Sequence, residues 1–255
     1  MAKLFVISDV HGYYDEMRAA LEAAGFDENN KEHWLIGCGD YVDRGEQPQE
    51  VINYLENLPR KILVKGNHEE LLKELLDSKE PSSYDFQNGT FATIVALGEV
   101  KGMSDLDTCY KNAWGRIKNF YNSLLDYFET ENYIFVHSWI PTIADYTSKY
   151  SAKSIGPRAY DANWRNGNWD NARWGNPFLQ TDLNETGKTI VFGHWHTSWA
   201  RYYHENKPQW QADSDFSPYY GEGYIGIDGC TAFTHKVNVL VLEDNFIEEI
   251  KGQKN

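Results

Sequence analysis

Five short polar motifs, each directly after a predicted β-strand, limit what this chain can fold into more than any other feature. They lie at residues 8–12, 39–45, 66–69, 136–137 and 193–196. Together they supply aspartates, histidines and one asparagine. Carboxylate, imidazole and amide groups are ligands that suit a pair of Mn, Fe or Zn ions. The sequence therefore predicts a fold that brings several strand ends to one place.

The first third of the chain alternates between strands, loops and helices. Short apolar runs predict the strands, and apolar residues at helical spacing predict the helices. This alternation implies right-handed parallel crossovers, which place strand carboxyl ends at one edge of a sheet, where ligands gather. Two later strands, 132–136 and 188–192, lead into His137 and His194, so five strand ends are expected at one edge. The early strands are predicted at 3–7, 33–37 and 61–65, and the helices at 13–24, 48–58 and 69–77.

The metal-type residues are spread over most of the chain, so we predict a single domain over 1–255. The β-rich stretches 224–228 and 236–243 predict antiparallel or mixed strands and a second sheet packed on the first. Two segments, near 78–110 and 138–187, have weak periodicity and are predicted to be loop-rich caps. Loops of that length are usually functional or disordered.

Charge and composition exclude several classes of partner. The formal net charge is -14, and the basic residues form no cluster that would follow a phosphate backbone, so duplex nucleic acid is not expected. No stretch approaches the ~20 apolar residues of a membrane span, and the first apolar run is too short for a signal-peptide core. Three cysteines without paired spacing fit a cytoplasmic protein. The oligomeric state stays open.

Aromatic residues make up 15% of the chain, and many lie between residues 139 and 224. They pack long surface loops, or they form the walls of a substrate cleft. The sequence leaves both interpretations open.

The spacing within the motifs favours metal binding. Asp9 and His11 lie two residues apart, so an extended chain points both side chains to the same side. Asp40 follows a glycine, where a bare backbone lets an ion approach closely and one carboxylate can bridge two cations. Any one histidine is as readily a packed core or loop residue, but five strand ends with ligand-type residues favour a dinuclear site. The remaining expected ligands are Asn67, His137 and His194.

The motifs resemble the signature of the calcineurin-like metallophosphoesterases. That signature combines Asp-x-His-Gly, Gly-Asp-Tyr-Val-Asp-Arg-Gly, Gly-Asn-His-Glu, a single His after a strand and a final Gly-His. Residues 42–45 resemble the branch that contains bacterial and phage-type serine/threonine protein phosphatases and symmetrical dinucleoside tetraphosphatases. Residues 88–90 with Thr93, and residues 227–230, resemble further elements of that branch. The resemblance implies a four-layer α/β fold, in which two mixed β-sheets pack face to face and are flanked by helices.

The resemblance also implies a role for each motif residue. A hydroxide bridging two divalent ions, expected to be Mn with Fe or Zn as alternatives, would attack phosphorus in line. His68 would act as general acid, oriented by Asp43. Arg44 would clamp the phosphoryl oxygens with its forked guanidinium, and Asn67 and His68 would also contact substrate. One ion would be bound by Asp9, His11 and Asp40, and the other by Asp40, Asn67, His137 and His194.

Three positions depart from the pattern of that branch. Ser8 stands where glycine is usual. His196 adds a second histidine to the final motif, as in phosphodiesterase branches, so it is either a ligand of the first metal or a residue hydrogen-bonded behind the ligands. The second substrate arginine is missing from its usual place after a tryptophan. Arg173, which precedes that tryptophan, is the preferred candidate, with Arg158 and Arg165 as the others.

The sequence therefore predicts a metal-dependent hydrolase of phosphomonoesters, similar to a serine/threonine phosphatase and acting on a phosphorylated protein, peptide or small phosphoester. A symmetrical bis(5'-nucleosyl)-tetraphosphatase is the first alternative, favoured by residues 174–177 and by aromatics suited to adenine. A phosphodiesterase is the second, favoured by His196. A non-catalytic binding scaffold is the alternative from another class; such a protein would be expected to have lost ligands.

Overall fold

The structure is a computed structural model that describes residues 1–99, 105–143, 159–211 and 213–246. In these ranges the strands are Ala2–Ile7 (β1), His33–Gly37 (β2), Lys61–Leu63 (β3), Phe128–Glu129 (β4), Tyr133–Phe135 (β5), Thr142–Ile143 (β6), Ala159–Tyr160 (β7), Thr189–Phe192 (β8), Tyr219–Gly221 (β9), Tyr224–Gly226 (β10) and Leu240–Asp244 (β11). The α-helices are Tyr14–Ala23 (α1), Pro48–Asn57 (α2), Asn67–Ser78 (α3), Ser83–Asn88 (α4), Thr90–Gly98 (α5), Leu106–Ser123 (α6), Trp169–Ala172 (α7), Ser198–Glu205 (α8) and Thr231–Thr234 (α9).

The strands form two mixed sheets and one short ribbon. The first sheet has the order β11-β1-β2-β3, and the second has the order β4-β5-β8-β10-β9. In each sheet three neighbouring strands are parallel, β1-β2-β3 in the first and β5-β8-β10 in the second, and the outer partners are antiparallel. The ribbon pairs β6 with β7. The predicted fold class, two mixed sheets flanked by helices, is confirmed.

Local sequence explains why the early elements form where they do. Four consecutive residues of β1, Leu4 to Ile7, are fully buried, as expected for a parallel strand covered on both faces. Helix α2 begins with Pro48, whose missing N–H costs nothing at the first helical position. It ends at Asn57, because Leu58 precedes a proline and adopts an extended conformation.

Three layers of apolar side chains hold the sheets and helices together. Val6, Ile36, Phe135 and Val191 belong to the layer that joins the two sheets. A second layer packs the first sheet against its helices, and a third packs aromatic residues of the 139–178 region on the second sheet. Each fully buried residue of this kind contributes about 1.5–3 kcal/mol relative to exposure. The rigid frame so formed fixes the positions of the strand ends.

The expectation that the last strand belongs to the second sheet was wrong. The last strand, β11, does not join the second sheet; it returns to the first and pairs antiparallel with β1. The five motif-bearing strand ends come from two sheets, three from the first and two from the second. The segment near 78–110 carries helices α4 and α5 and the start of α6 in its described part. The 138–187 segment holds only short elements where it is described.

None of the helices within the described ranges is long and apolar enough to cross a membrane.

Candidate metal centre and catalytic cleft

The carboxyl ends of the two sheets meet, and this contact assembles the motifs. His137, after β5, contacts the backbone oxygen of Cys38, after β2, with an Nδ1–O distance of 2.8 Å. The backbone N–H of His194, after β8, donates to Oδ2 of Asp9, after β1, at 2.9 Å. Each bond links one sheet to the other. Strand ends far apart in the sequence therefore lie within hydrogen-bond distance.

Asp40 lies at the centre of this junction. Its Oδ1 is 3.4 Å from Nε2 of His137, and its Oδ2 is 3.7 Å from Nε2 of His11 and 3.9 Å from Nε2 of His68. Two sets of ligand atoms each lie within 4.8 Å of one another: His11, Asp40 and His68 in one, all buried, and Asp40, His137 and the partly exposed His194 in the other. Because Asp40 belongs to both sets, the geometry fits two cations that share one carboxylate.

The other expected ligands lie at the same junction. Oδ1 of Asp9 is 3.9 Å from Nε2 of His11. Oδ1 of Asn67 is 2.8 Å from Nε2 of His137, which is 3.1 Å from Nδ1 of His194. The nitrogen and oxygen donors suit Mn, Fe or Zn, so the side chains present fit the metal pair that the sequence predicts.

His196 lies beside this cluster but outside both ligand sets. Its Nδ1 is 2.7 Å from the hydroxyl of Ser198, and its ring packs edge-on against Trp210 at 4.2 Å between centroids. Its Nε2 is buried and has no hydrogen-bond partner in the described part of the chain. The hydrogen bond to Ser198 is compatible with a residue that supports the metal ligands without touching the ion. The Nε2 atom, which has no partner among the described residues, is compatible with a metal ligand.

Burial pushes the groups of the cluster toward their neutral forms. It raises the pKa of Asp40 and of Asp9, and the Asp228 carboxylate raises the pKa of Asp9 further. It lowers the pKa of His11 and His137, and lowers the pKa of His194 to about 3. Neutral imidazoles are the form that binds metal. Bound cations would also favour the charged carboxylates, since an opposite charge favours ionisation.

The motif backbones adopt a conformation that L-residues rarely use. Positive φ angles of 52° at Asp9, 57° at Asp40 and 66° at His194 lie in the left-handed region, where a non-glycine residue costs about 1–3 kcal/mol. His11, Asp43 and Arg44 also have positive φ. Packing against the two sheets keeps the backbone in this conformation. The left-handed φ angles direct the side chains at successive strand ends toward the same junction.

Glu69 is a site residue whose role the sequence did not reveal. Its carboxylate accepts backbone N–H groups from Asp40 at 3.0 Å, Tyr41 at 2.8 Å and Gly66 at 2.8 Å, and so ties two motif loops together. Gly66 must be glycine, because a Cβ there would collide with the Asp40 side chain. The sequence signal that could have revealed this role is the position of Glu69 as the last residue of the Gly-Asn-His-Glu motif.

His68 and Asp43 form the expected dyad. The His68 Nδ1–Asp43 Oδ2 distance is 2.8 Å. Two hydroxyl groups also donate hydrogen bonds to the Asp43 carboxylate: that of Thr90 to Oδ2 at 2.7 Å and that of Thr93 to Oδ1 at 2.8 Å. Burial lowers the pKa of His68, and the hydrogen bond to Asp43 opposes that shift. The two threonines are positioning residues; the sequence located them by motif but gave them no role.

Arg44 extends over the same cluster. One guanidinium nitrogen donates to Nε2 of His11 at 2.8 Å and the other to Nε2 of His68 at 3.1 Å. Its side chain is otherwise exposed. A forked donor at this place is suited to anionic oxygens near the ligand groups.

Asp228 is another residue to which the sequence gave no role. It lies shortly after the end of β10 and is buried, and burial raises its pKa to about 6. Its Oδ1 accepts the backbone N–H of Cys230 at 2.7 Å. Its charge acts on Asp9. Its position after a central strand of the second sheet was the signal that could have revealed it.

The candidate second arginine, Arg173, does not line the cleft. It is 1% exposed, and its guanidinium binds Glu70 through Nε at 2.6 Å, Asp126 at 2.9 Å and Asp170 at 2.7 Å. These bonds hold it in a structural ion-pair cluster, which does not favour the expected contact with phosphate. Of the other two candidates, Arg165 pairs with Glu129 at 2.6 Å, and Arg158 lies outside the described residues.

A cleft of about 770 Å³ opens onto the junction. Asp40, Arg44, Asn67 and His68 line its inner end. Trp174 and Trp195 are among its other walls, so part of the aromatic content does border a cleft. The site therefore combines two adjoining metal-binding groups, an imidazole–carboxylate dyad and a forked cation around one cavity. This is the arrangement of a metal-dependent phosphoester hydrolase.

Comparison with known proteins identifies the family. The model of the calcineurin-like phosphoesterases matches residues 2–225. The chain belongs to the calcineurin-like phosphoesterase family, and the resemblance seen in the motifs is confirmed. The family uses a dinuclear divalent metal centre.

Curated relatives match only part of the chain. The symmetrical bis(5'-nucleosyl)-tetraphosphatase of Buchnera aphidicola subsp. Acyrthosiphon pisum (strain Tuc7) is 42% identical over 66 residues. That match covers 26% of this chain and 23% of the relative, so it spans less than a quarter of the relative's length.

Solved structures share the fold over most of the chain. A candidate diadenosine tetraphosphatase has a TM-score of 0.50 at 16% identity, and covers 97% of this chain and 95% of its own. The cold-active protein-tyrosine phosphatase of a psychrophilic Shewanella species has a TM-score of 0.53 at 18% identity, and covers 96% and 76%. At these identities the likeness shows the fold.

Proposed function

We propose that this chain is a divalent-metal-dependent phosphomonoesterase of the serine/threonine-phosphatase type. The observation that carries the proposal is the position of Asp40, which is shared by two ligand groups, one of which contains His68, the residue that contacts both Asp43 and Arg44. Family membership supports an enzyme over the non-catalytic scaffold. The cytoplasmic location stays a prediction.

The metal ligands on this proposal are Asp9, His11, Asp40, Asn67, His137 and His194. When bound, a pair of divalent ions, Mn by preference, lowers the pKa of water and neutralises charge on the phosphoryl group. The strand ends hold the ligands at the inner end of the cleft, and Glu69 fixes the loops that carry Asp40 and Asn67. His196 is proposed as an additional contributor to the first metal through its unpaired Nε2.

His68 supplies a proton on this proposal. In the imidazolium form, with both ring nitrogens protonated, its Nδ1 donates to Asp43 and its Nε2 is the atom that delivers a proton to the leaving oxygen. Arg44 contacts that same nitrogen in the present arrangement and is proposed to turn to the phosphoryl oxygens of a bound substrate. Asn67 and His68 line the cleft beside it and complete the phosphoryl contacts.

The experiment is a metal assay coupled to a substrate panel. The purified chain is stripped with a chelator, reloaded with Mn²⁺, Fe²⁺ or Zn²⁺, and tested on a phosphoserine peptide, a phosphodiester and diadenosine tetraphosphate. We expect about two ions per chain and hydrolysis of the phosphopeptide only in the loaded protein. Full activity after verified metal removal would refute the mechanism.

A symmetrical tetraphosphatase is the second candidate, supported by the name of the curated relatives and by the two tryptophans in the cleft. Release of ADP from diadenosine tetraphosphate with poor phosphopeptide turnover would favour it. A phosphodiesterase is the third, and its supporting observation is the unpaired His196 Nε2. Preferential hydrolysis of the phosphodiester would favour that activity.

A further inference from the structure

A short segment after α7, residues 173–175, contacts the candidate metal centre from outside the five motifs. It follows directly on Ala172, the last residue of α7. The backbone N–H of Trp174 donates to the oxygen of Asn171 at 3.2 Å, and that of Gly175 to the oxygen of Ala172 at 3.4 Å. These bonds hold the segment to the helix. The backbone oxygens of Trp174 and Gly175 each accept a hydrogen bond from a motif loop of the second sheet.

The first of these bonds anchors the loop of His137. Ser138, the next residue, is buried, and its hydroxyl donates to the backbone oxygen of Gly175 at 2.7 Å. Nδ1 of His137 is engaged by the backbone oxygen of Cys38 at 2.8 Å. Nε2 is therefore the nitrogen of His137 that is left for a metal ion, and Ser138 fixes the loop that presents it.

The second bond orients the ring of His194. Burial lowers the pKa of His194 to about 3, and a hydrogen bond from its ring to the backbone oxygen of Trp174 opposes that shift. Nδ1 of His194 lies 3.1 Å from Nε2 of His137, so we assign the bond with Trp174 to the other nitrogen, Nε2. A ring N–H donated to a backbone carbonyl fixes the tautomer and the orientation of a metal-binding histidine.

The 173–175 segment is also joined to α3. The indole Nε1 of Trp174 donates to Oε2 of Glu70 at 3.0 Å, and Nε of Arg173 donates to Oε1 of the same carboxylate at 2.6 Å. Glu70 lies in the first turn of α3, three residues after Asn67. One carboxylate therefore connects this segment to the helix that supplies Asn67.

These contacts converge on the ligands of one ion. Asn67, His137 and His194 are the ligands expected at the second ion alone, and each belongs to an element that the 173–175 segment contacts. His11, expected at the first ion, is held in another way, since its Nδ1 lies 3.0 Å from the backbone oxygen of Val42. A change in the segment should therefore affect the two ions unequally.

We propose that Ser138 and Trp174 are positioning residues for the second metal ion, because they hold the 173–175 segment against the loops of His137 and His194. The inference rests on the ligand assignment of the proposed function and extends it to residues that do not touch the ion. Partners that orient metal ligands in this way typically contribute about 10- to 100-fold to metal affinity.

The test measures metal binding by calorimetric titration of the chelator-stripped chain with Mn²⁺. Ser138→Ala removes the hydroxyl that donates to Gly175, and Trp174→Phe removes the indole N–H that donates to Glu70 but keeps an aromatic ring. Each variant should raise the Kd of one of the two ions about 10- to 100-fold and leave the Kd of the other unchanged.

Two backgrounds identify the affected ion. His11→Ala removes a ligand of the first ion, and the loss of affinity caused by Ser138→Ala should persist in it. His137→Ala removes a ligand of the second ion, and in that background Ser138→Ala should have no effect on the remaining Kd. Circular dichroism of the stripped proteins checks that each variant is folded.

Matched controls separate positioning from a general loss of structure. Ser123→Ala removes a hydroxyl that donates to the backbone oxygen of Phe120 at 2.7 Å, the same type of bond at the same length. Trp164→Phe alters a buried tryptophan of the aromatic layer on the second sheet, whose Nε1 has no hydrogen-bond partner among the described residues. Both controls should keep the two parental Kd values.

A kinetic measurement gives a second readout. Because occupancy follows the concentration of free metal, excess Mn²⁺ should restore the kcat of Ser138→Ala and Trp174→Phe with nitrophenyl phosphate to the parental value. A loss of kcat that persists at saturating Mn²⁺ would overturn the positioning role.

The outcomes separate this inference from the proposed function. If the parent and both test variants bind two ions with the same Kd values, the inference is overturned and the proposed function stands. Equal weakening of both ions, or an equal effect in the controls, also overturns it. A parent that binds no pair of ions would overturn both proposals. The expected titration together with no hydrolysis of any monoester would support the inference and refute the phosphomonoesterase function.

Discussion

Two buried polar clusters, one around Asp40 and one around Arg173, differ in where their positive charge comes from. In the second, one guanidinium is bonded to Glu70, Asp126 and Asp170, so the protein supplies its own counter-ion. In the first, carboxylates and imidazoles are buried together, and burial moves the pKa values of both toward the neutral forms. The donors of the Asp40 cluster therefore suit a cation supplied from outside the chain, whereas the Arg173 cluster holds its own.

The largest expected effect tests the Asp40 cluster. Asp40→Asn removes the carboxylate shared by both ligand groups, so we expect loss of at least one metal and a fall in kcat of about 10³-fold or more. Metal content and turnover measured on the same preparation check this. The matched control is Asp126→Asn in the other cluster, which should keep metal and activity while losing stability. Normal metal content and kcat in Asp40→Asn would contradict the comparison.

The second prediction concerns the proton donor. His68→Asn should lower kcat by about 10²–10⁴-fold with phosphoserine, whose leaving oxygen is strongly basic, and clearly less with nitrophenyl phosphate. Asp43→Asn should show a milder loss with the same dependence on the leaving group, since the imidazole remains. Equal losses on both substrates, with chemistry rate-limiting and metal unchanged, would mean that His68 holds substrate rather than delivering a proton.

The third prediction tests the Arg173 cluster. Arg173→Met leaves the buried carboxylates of Glu70 and Asp126 without this cation and should reduce the free energy of unfolding by about 3–5 kcal/mol. Urea unfolding of the metal-free protein measures it. The control Arg44→Met removes an exposed cation and should change stability by no more than about 1 kcal/mol while raising KM. If Arg173→Met were stable and raised KM instead, Arg173 would be a substrate residue.

The smallest effect concerns a carboxylate held mainly by neutral donors. Asp244 accepts the backbone N–H of Asn132 at 2.8 Å and its side-chain amide at 2.6 Å. Burial alone would raise its pKa, but hydrogen bonds, led by that from Thr130, lower it below the ordinary 3.8. Because the folded-state pKa is depressed, the stabilisation is present above the unfolded-state pKa and is lost as pH falls through the folded one.

Asp244→Asn should therefore cost about 1.5–3 kcal/mol near pH 7, the range for hydrogen bonds to a charged group. The difference from the parent should shrink below pH 4, in the range where both still fold. Urea unfolding at a series of pH values measures it. A difference that does not depend on pH would show that the charge of Asp244 contributes nothing.

The sequence predicted the elements whose signals are local. The buried run of β1 and the helical spacing of α1 and α2 placed these elements within one or two residues. Helix α5 was missed because it is almost uniformly apolar, so it shows little periodicity. The partner of β11 was mistaken because pairing with β1 depends on residues more than 200 positions away. Pairing between strands so far apart has no signal in the sequence near either strand.

The same division between local and long-range signals applies to the site. Six expected ligands lie together because each follows a strand end, which a short motif reveals. Arg173 could not be placed, since its partners Glu70, Asp126 and Asp170 come from three separate stretches. The hydrogen bonds by which Glu69 joins two motif loops could not be predicted from the sequence either, because they depend on how closely the two loops approach.

The left-handed backbone of Asp9, Asp40 and His194 has a consequence for protein engineering. Copying the ligand side chains onto another sheet would not reproduce the centre, because an ordinary strand end points them elsewhere. The loops must be transplanted with their supporting residue Glu69.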